Sequence, residues 1–362
     1  MQAEREKHVL YIDILKAIAC ICVLVGHVIG GIVKANIYVS NVLSHLCAYV
    51  YLFHVPCFFF ASGYLYANKQ IENGKEYVLF VAKKMLILGL PYLVCTVCYV
   101  AMSFFFSSEM NSNTYYSFGA LINIWREPIA QYWYLYALLI MFMVIPAIEL
   151  ILKNVNKKYL FMAFILLALF GRSNISCINY IIQYAYLFYM GVIWDGLGGG
   201  KWKSDLLRHT NCAWGGVYGI EGIVIYLIYV IIGKESILLT RVSVILQCAV
   251  TLLLVITMIR VSFVISENKT YIKAFLLWIS KYSFYIYLFH TWFSGTCRVF
   301  LRKAGITNCW IQTFAGMIVG LIGPVLIAKV VKKVPIFLFW IEPLTIIRRS
   351  NQRISNYGGD EE

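Results

Sequence analysis

Residues Tyr11 to Val28 read YIDILKAIACICVLVGHV, an apolar run interrupted by Asp13, Lys16 and His27. At about 100° per residue, the eleven steps from Lys16 to His27 bring the two side chains to within ~20° of one helix face, ~16 Å apart along the axis. An ammonium and an imidazole thus share one stripe. Asp13 lies three residues before Lys16, close enough in angle to pair with it. The run is long enough to cross a ~30 Å hydrocarbon core as a helix. Ionisable groups in hydrocarbon are costly, so three of them on one span mark a functional site by default.

The pattern recurs along the chain. Of its 362 residues 61% are hydrophobic and 13% charged, with a mean hydropathy of +0.75, whereas a soluble domain is roughly 25% charged. Apolar segments are expected to cross the bilayer at 9–33, 42–67, 85–106, 132–152, 159–170, 178–197, 213–232, 238–264, 275–300 and 309–331, the fifth being short. The fold class that follows is all-α, a polytopic integral membrane protein of about ten transmembrane helices with both termini cytoplasmic. A single transmembrane domain over 1–347 is followed by a basic, then acidic, tail over 348–362. The connections leave no room for an appended soluble domain, so the chemistry is expected inside the membrane. The longest of them, 107–131, carries Tyr115, Tyr116, Trp125 and Arg126; it reads either as a substrate-contacting lid or as an interfacial loop with aromatic anchors.

The net charge of +14 is compatible with nucleic acid, but its distribution argues for topology. With both termini inside, about three times as many Lys and Arg lie on the cytoplasmic side as on the other, the positive-inside pattern of an even number of spans. The eleven cysteines fall mostly within apolar spans, where a thiol behaves as a small hydrophobe. Cys95 and Cys98 form a CxxC with no second pair or histidine at zinc spacing, so no metal site is expected. The long first segment, with its Asp, Lys and His, is unlike a cleavable signal peptide. Gly198, Gly199 and Gly200 read as a flexible turn. No P-loop, GxGxxG or GxSxG context is present, which removes nucleotide hydrolysis and serine-esterase chemistry.

Three of the six histidines, His27, His54 and His290, fall at comparable depth in their spans and could line one cavity. A neutral imidazole can take the proton of an alcohol, with a carboxylate such as Asp13 to orient it or balance its charge. A hydrogen-bonded interior histidine is the bland alternative for each. Metal binding by the three lacks accompanying carboxylates or HxxH spacing. Pro56, within YVYLFHVPCFFFASGYLYA, can break the second span near mid-membrane, and Ser62-Gly63 allows close helix approach. In WISKYSFYIYLFHTWF, the tyrosines read as interfacial anchors and His290 stands out. Lys83 and Lys84 would suit a phosphorylated ligand, although lipid headgroups and topology explain them equally well.

Four segments together carry a family resemblance: Asp13-x-x-Lys16-x10-His27, FHVPCFFFASGYL from Phe53 to Leu65, YWYLYALLIMFMVIP from Tyr132 to Pro146, and SFYIYLFH from Ser283 to His290. The chain resembles the membrane-bound acyltransferase-3 family, which contains many bacterial sugar O-acetyltransferases. That resemblance implies helices around a polar interior cavity and an acyl-CoA donor, acetyl-CoA in an O-acetyltransferase, reached from the cytoplasm. The acceptor it implies is a hydroxyl of a surface or lipid-linked glycan, and the location a bacterial plasma membrane. Lys16 stands where the family pattern usually has Arg, as in the branch that includes fucose O-acetyltransferase-like proteins. Lysine keeps the charge but loses the bidentate fork. Lys84 could stand for the first member of an Arg-x-x-Arg element whose second position here is Ile87.

On both lines of reading, His27 is expected to be the general base or an acyl relay, Lys16 to stabilise negative charge on the donor or intermediate, and Asp13 to orient Lys16. His54 and His290 would shape the cavity and relay protons. Lys16, Lys83 and Lys84 are the candidate donor-binding cations, and Tyr64 and Trp133 the candidate cavity walls. The competing class is a proton-coupled transporter or flippase using the same buried groups; a structural scaffold would leave Lys16 and His27 without a role.

Overall fold

In hydrocarbon a backbone can satisfy its polar groups within a helix, and the computed structural model contains helices and no strand among the described residues, 2–69, 71–105, 116–196, 201–235 and 240–347. Their order is α1 (Gln2–Lys34), α2 (Asn41–Tyr51), α3 (His54–Ala67), α4 (Gly74–Lys84), a π-helical turn (Met85–Gly89), α5 (Leu90–Phe105), α6 (Trp133–Ile151), α7 (Lys157–Phe170) and α8 (Ser176–Ile193). There follow α9 (Lys201–Leu206), α10 (Cys212–Glu235), α11 (Thr240–Glu267), α12 (Tyr271–Lys303), α13 (Cys309–Val331) and α14 (Pro335–Ile341). The tail from 348 onward and the glycine turn at 198–200 lie outside the described residues.

Eight helical stretches among the described residues are long and apolar enough to cross a membrane. The two sequence segments without such a match are helical too. α7 has 14 residues, and α12 has 33 but is interrupted by Lys281, His290 and Arg298. Hydropathy fails on α12 because of these polar groups, of which His290 is buried and Arg298 half-buried while Lys281 is exposed.

α1 is buried almost all round, with Ile12, Ile14, Leu15 and Ala17 fully enclosed, as expected of a helix at the centre of a bundle. Along it runs α12. Asp13 meets Ser280, Cys20 meets Ser283, His27 meets His290, Gly31 meets Arg298 and Ala35 meets Arg302. The sequence offset stays between 263 and 267, so the two helices are parallel and in step. If α12 crosses in the same sense as α1, the crossings between them must be odd in number. The six apolar candidates between them meet that condition once α7 is added.

The break between α2 and α3 falls at Leu52 and Phe53 rather than at Pro56. Proline has no N–H and its ring clashes with the carbonyl four residues back, here that of Leu52; Pro56 itself sits in the first turn of α3, where a missing N–H costs nothing. α12 ends on Gly305 at φ 77, the left-handed residue that commonly closes a helix. The Asn308 side chain then caps α13, accepting from Trp310 N at 3.0 Å and Ile311 N at 3.2 Å.

α3 and α8 meet backbone to backbone. A Cβ on Gly63 would lie 1.8 Å from the carbonyl oxygen of Phe188, and one on Gly191 would lie 2.2 Å from that of Phe60. Gly63→Ala is therefore expected to cost at least about 1–3 kcal/mol, because a carbonyl cannot swing aside as a side chain can. Loss of the monodisperse peak in size-exclusion chromatography of detergent-extracted protein would show it; an unchanged peak and melting temperature would contradict the packing.

Candidate active site

The parallel register brings His27 of α1 and His290 of α12 together, with ring centroids 5.0 Å apart. His290 is fully buried, its Nδ1 2.8 Å from the carbonyl of Ile286 and 2.9 Å from that of Tyr287. A carbonyl only accepts, so Nδ1 carries the hydrogen and, in a neutral ring, Nε2 keeps the lone pair. That Nε2 is buried without a hydrogen-bond partner. His54 is held likewise, Nδ1 donating to the Val50 carbonyl at 2.6 Å across the α2–α3 break. The Tyr51 ring stands between the two sites, 6.4 Å from the His27 ring and 5.0 Å from that of His54.

His27 differs from both. It makes no hydrogen bond among the described residues, and it lines two cavities, of about 360 Å³ and about 830 Å³. His27, Tyr51, Gln131 and Trp133 belong to the walls of both. The smaller cavity continues past His54, Pro56 and Tyr287; the larger runs along Gly30, Gly31 and Lys34 toward the end of α1.

The shared wall is held from α12. Gln131 donates from Nε2 to Thr291 Oγ1 at 2.7 Å, and its carbonyl accepts from the Tyr287 hydroxyl. Tyr132 donates to the Leu288 carbonyl at 3.1 Å and accepts from Trp292 Nε1 at 2.8 Å. Ala130, with φ 50, takes the left-handed backbone that non-glycine residues rarely adopt, just before this anchor. Trp133 stacks on Tyr180 at 5.2 Å.

A family model described as an acyltransferase domain matches residues 9–329, which contain all three histidines and both cavities. The chain belongs to the acyltransferase-3 family. No curated protein and no solved structure matches it.

The charged pair of this membrane acyltransferase sits apart from the histidines. Lys16 Nζ is 2.6 Å from Asp13 Oδ1, and Ser280 Oγ approaches the same oxygen at 3.5 Å. Neither Lys16 nor Asp13 lines either cavity. Lys84 lies over the Phe142 ring at 3.6 Å, immediately before the π-helical turn, and neither it nor Lys83 reaches these cavities. Tyr64 is buried against Tyr11 at 5.9 Å, outside both, whereas Trp133 lines both.

Of the long connection, Tyr115 lies outside the described residues, Tyr116 lines the larger cavity, and the exposed Trp125 accepts at its carbonyl from the Tyr136 hydroxyl. Tyr51, Gln131, Tyr287 and Arg298 are the lining residues that sequence reading passes over. A tyrosine in an apolar run looks like an interfacial anchor, and only the fold aligns these four with His27.

Proposed function

We propose that the protein is an O-acyltransferase of the bacterial plasma membrane, moving an acyl group, acetyl in the simplest case, from cytoplasmic acyl-CoA to a hydroxyl of a surface or lipid-linked glycan. The observation that carries this is the uncommitted His27 ring at the wall shared by two cavities, where two reactants can meet one base. Lys16 in place of arginine supports the fucose O-acetyltransferase-like branch. The positive-inside charge distribution supports an orientation with the Lys16 end of α1 cytoplasmic and the His27 end outward.

In this reading an imidazole nitrogen of His27 takes the proton of the acceptor hydroxyl as its oxygen attacks the thioester carbonyl. The tetrahedral intermediate collapses with cleavage of the C–S bond, and the imidazolium returns its proton to the departing CoA thiolate. Products are the O-acyl ester and CoA thiol. His290 backs His27 with a lone pair at Nε2 and acts as a positioning residue. Lys16 is about 16 Å from His27 along α1, too far to reach the oxyanion, so its role is toward the donor's phosphates at the cytoplasmic end, with Asp13 orienting it. The Tyr51 hydroxyl makes no hydrogen bond among the described residues and lies beside Gly30, in the larger cavity; it is the donor suited to the oxyanion.

The test is transfer of radiolabel from acetyl-CoA to glycan or lipid in membranes containing the protein. Label in the acceptor fraction, absent from membranes without the protein, is expected. Movement of a glycan across the membrane with no label transferred would replace the enzyme by a transporter.

A further inference from the structure

Among the described residues, the larger cavity is lined by Lys34, Arg298 and Lys303 and by no Asp or Glu. Lys34 and Lys303 are exposed at its rim, whereas Arg298 is half-buried. Its guanidinium lies over Gly31, where a Cβ would come within 2.2 Å of Nη1. The Arg298 Nε is buried without a hydrogen-bond partner, and no carboxylate pairs with this arginine among the described residues.

Two other arginines have an acceptor, although the Arg260 Nε is also buried without a partner. Arg260, in α11, donates to both oxygens of Glu221 at 2.7 and 3.0 Å. Arg302, one turn beyond Arg298, donates to the Ala35 carbonyl at 3.1 Å. An interfacial anchor extends its charge into water, but Arg298 turns back over α1, onto the same face as His27 one turn away. A cation partly withdrawn from water without a counter-charge is unfavourable, and a planar guanidinium suits a carboxylate or phosphate bidentately. Trp133, Trp292 and Tyr99 supply aromatic wall beside it, which suits the apolar face of a sugar ring.

We propose that the larger cavity takes an anionic acceptor, a sugar bearing a carboxylate or phosphate close to the hydroxyl that is acylated, with Arg298 pairing the anion. The ligand's role as acceptor rests on the transferase reading; the anion site rests on the cavity.

The experiment is titration of the intrinsic fluorescence of purified protein, to which Trp133 and Trp292 contribute, with glucuronate, glucose 6-phosphate and glucose, without acyl-CoA. At least one anionic sugar is expected to bind about tenfold or more tightly than glucose. Preference for glucuronate points to an acidic glycan, and preference for glucose 6-phosphate to a phosphate-linked sugar. R298Q is expected to erase most of the difference with glucose binding unchanged, and R298K to keep part of it. G31A is a second probe, because its methyl displaces the flexible end of Arg298 without meeting backbone.

Equal or absent binding of all three sugars by the wild type would overturn the proposal, as would undiminished anion preference in R298Q. Displacement of the anionic sugar by CoA would also overturn it, by showing a donor cavity. Anion preference without any acyl transfer to glycan or lipid would instead overturn the transferase reading alone.

Discussion

Replacing His27 by alanine is expected to lower acyl transfer about 10²–10⁴-fold, the usual contribution of a positioned general base. The fold should survive, because His27 makes no hydrogen bond among the described residues that the change would remove. The loss should therefore appear in kcat at an unchanged melting temperature. His290→Ala tests the pairing: its ring lies 5.0 Å from that of His27 and lines neither cavity. It is expected to reduce transfer less than His27→Ala does. In the double variant the losses should not add, since groups acting as one unit are non-additive. Additive losses would separate the two histidines.

Tyr51→Phe is expected to lower kcat by about 10²–10³-fold, the range for removal of one oxyanion donor, with little change in KM. The ring that separates His27 from His54 stays, so the cavity walls persist, and only the hydroxyl is lost. The effect is placed in kcat because a donor aimed at the developing oxyanion acts in the transition state more than in the bound ground state. A rise in KM with unchanged kcat would instead make Tyr51 an ordinary binding residue.

The helices were legible because apolar runs in a chain of this composition have few alternatives. The second span shows the limit of that legibility. Proline marks a break somewhere near it, but the clash acts on the carbonyl four residues back, so the helix is interrupted at Leu52 and Phe53. The crossing count is the other limit. Segments 159–170 and 275–300 are apolar enough to notice, yet α7 is short and α12 is polar, and both fall outside the eight stretches that length and composition select. Their assignment needs the parallel register of α1 and α12, a tertiary fact.

The site was partly legible. Histidines in hydrocarbon stand out against their surroundings, and depth alone suggested that His27, His54 and His290 were neighbours. The sequence does not say which of the three is free to react. That distinction depends on carbonyls of Val50, Ile286 and Tyr287 that tie down two rings. Nothing in the sequence sets Arg298 apart from other Lys and Arg near span ends, because its position over Gly31 arises only when α12 lies in step with α1. Lys16 was conspicuous for the same reason as His27, yet the two occupy separate stations on one helix.

The most direct test supplies radiolabelled acetyl-CoA to one face of sealed, oriented vesicles containing the protein and acceptor glycan. The predicted result is label on glycan at the opposite face when donor is given on the Lys16 side, and none from the His27→Ala protein. Label transferred equally well by His27→Ala, or glycan crossing the membrane unlabelled, would contradict it.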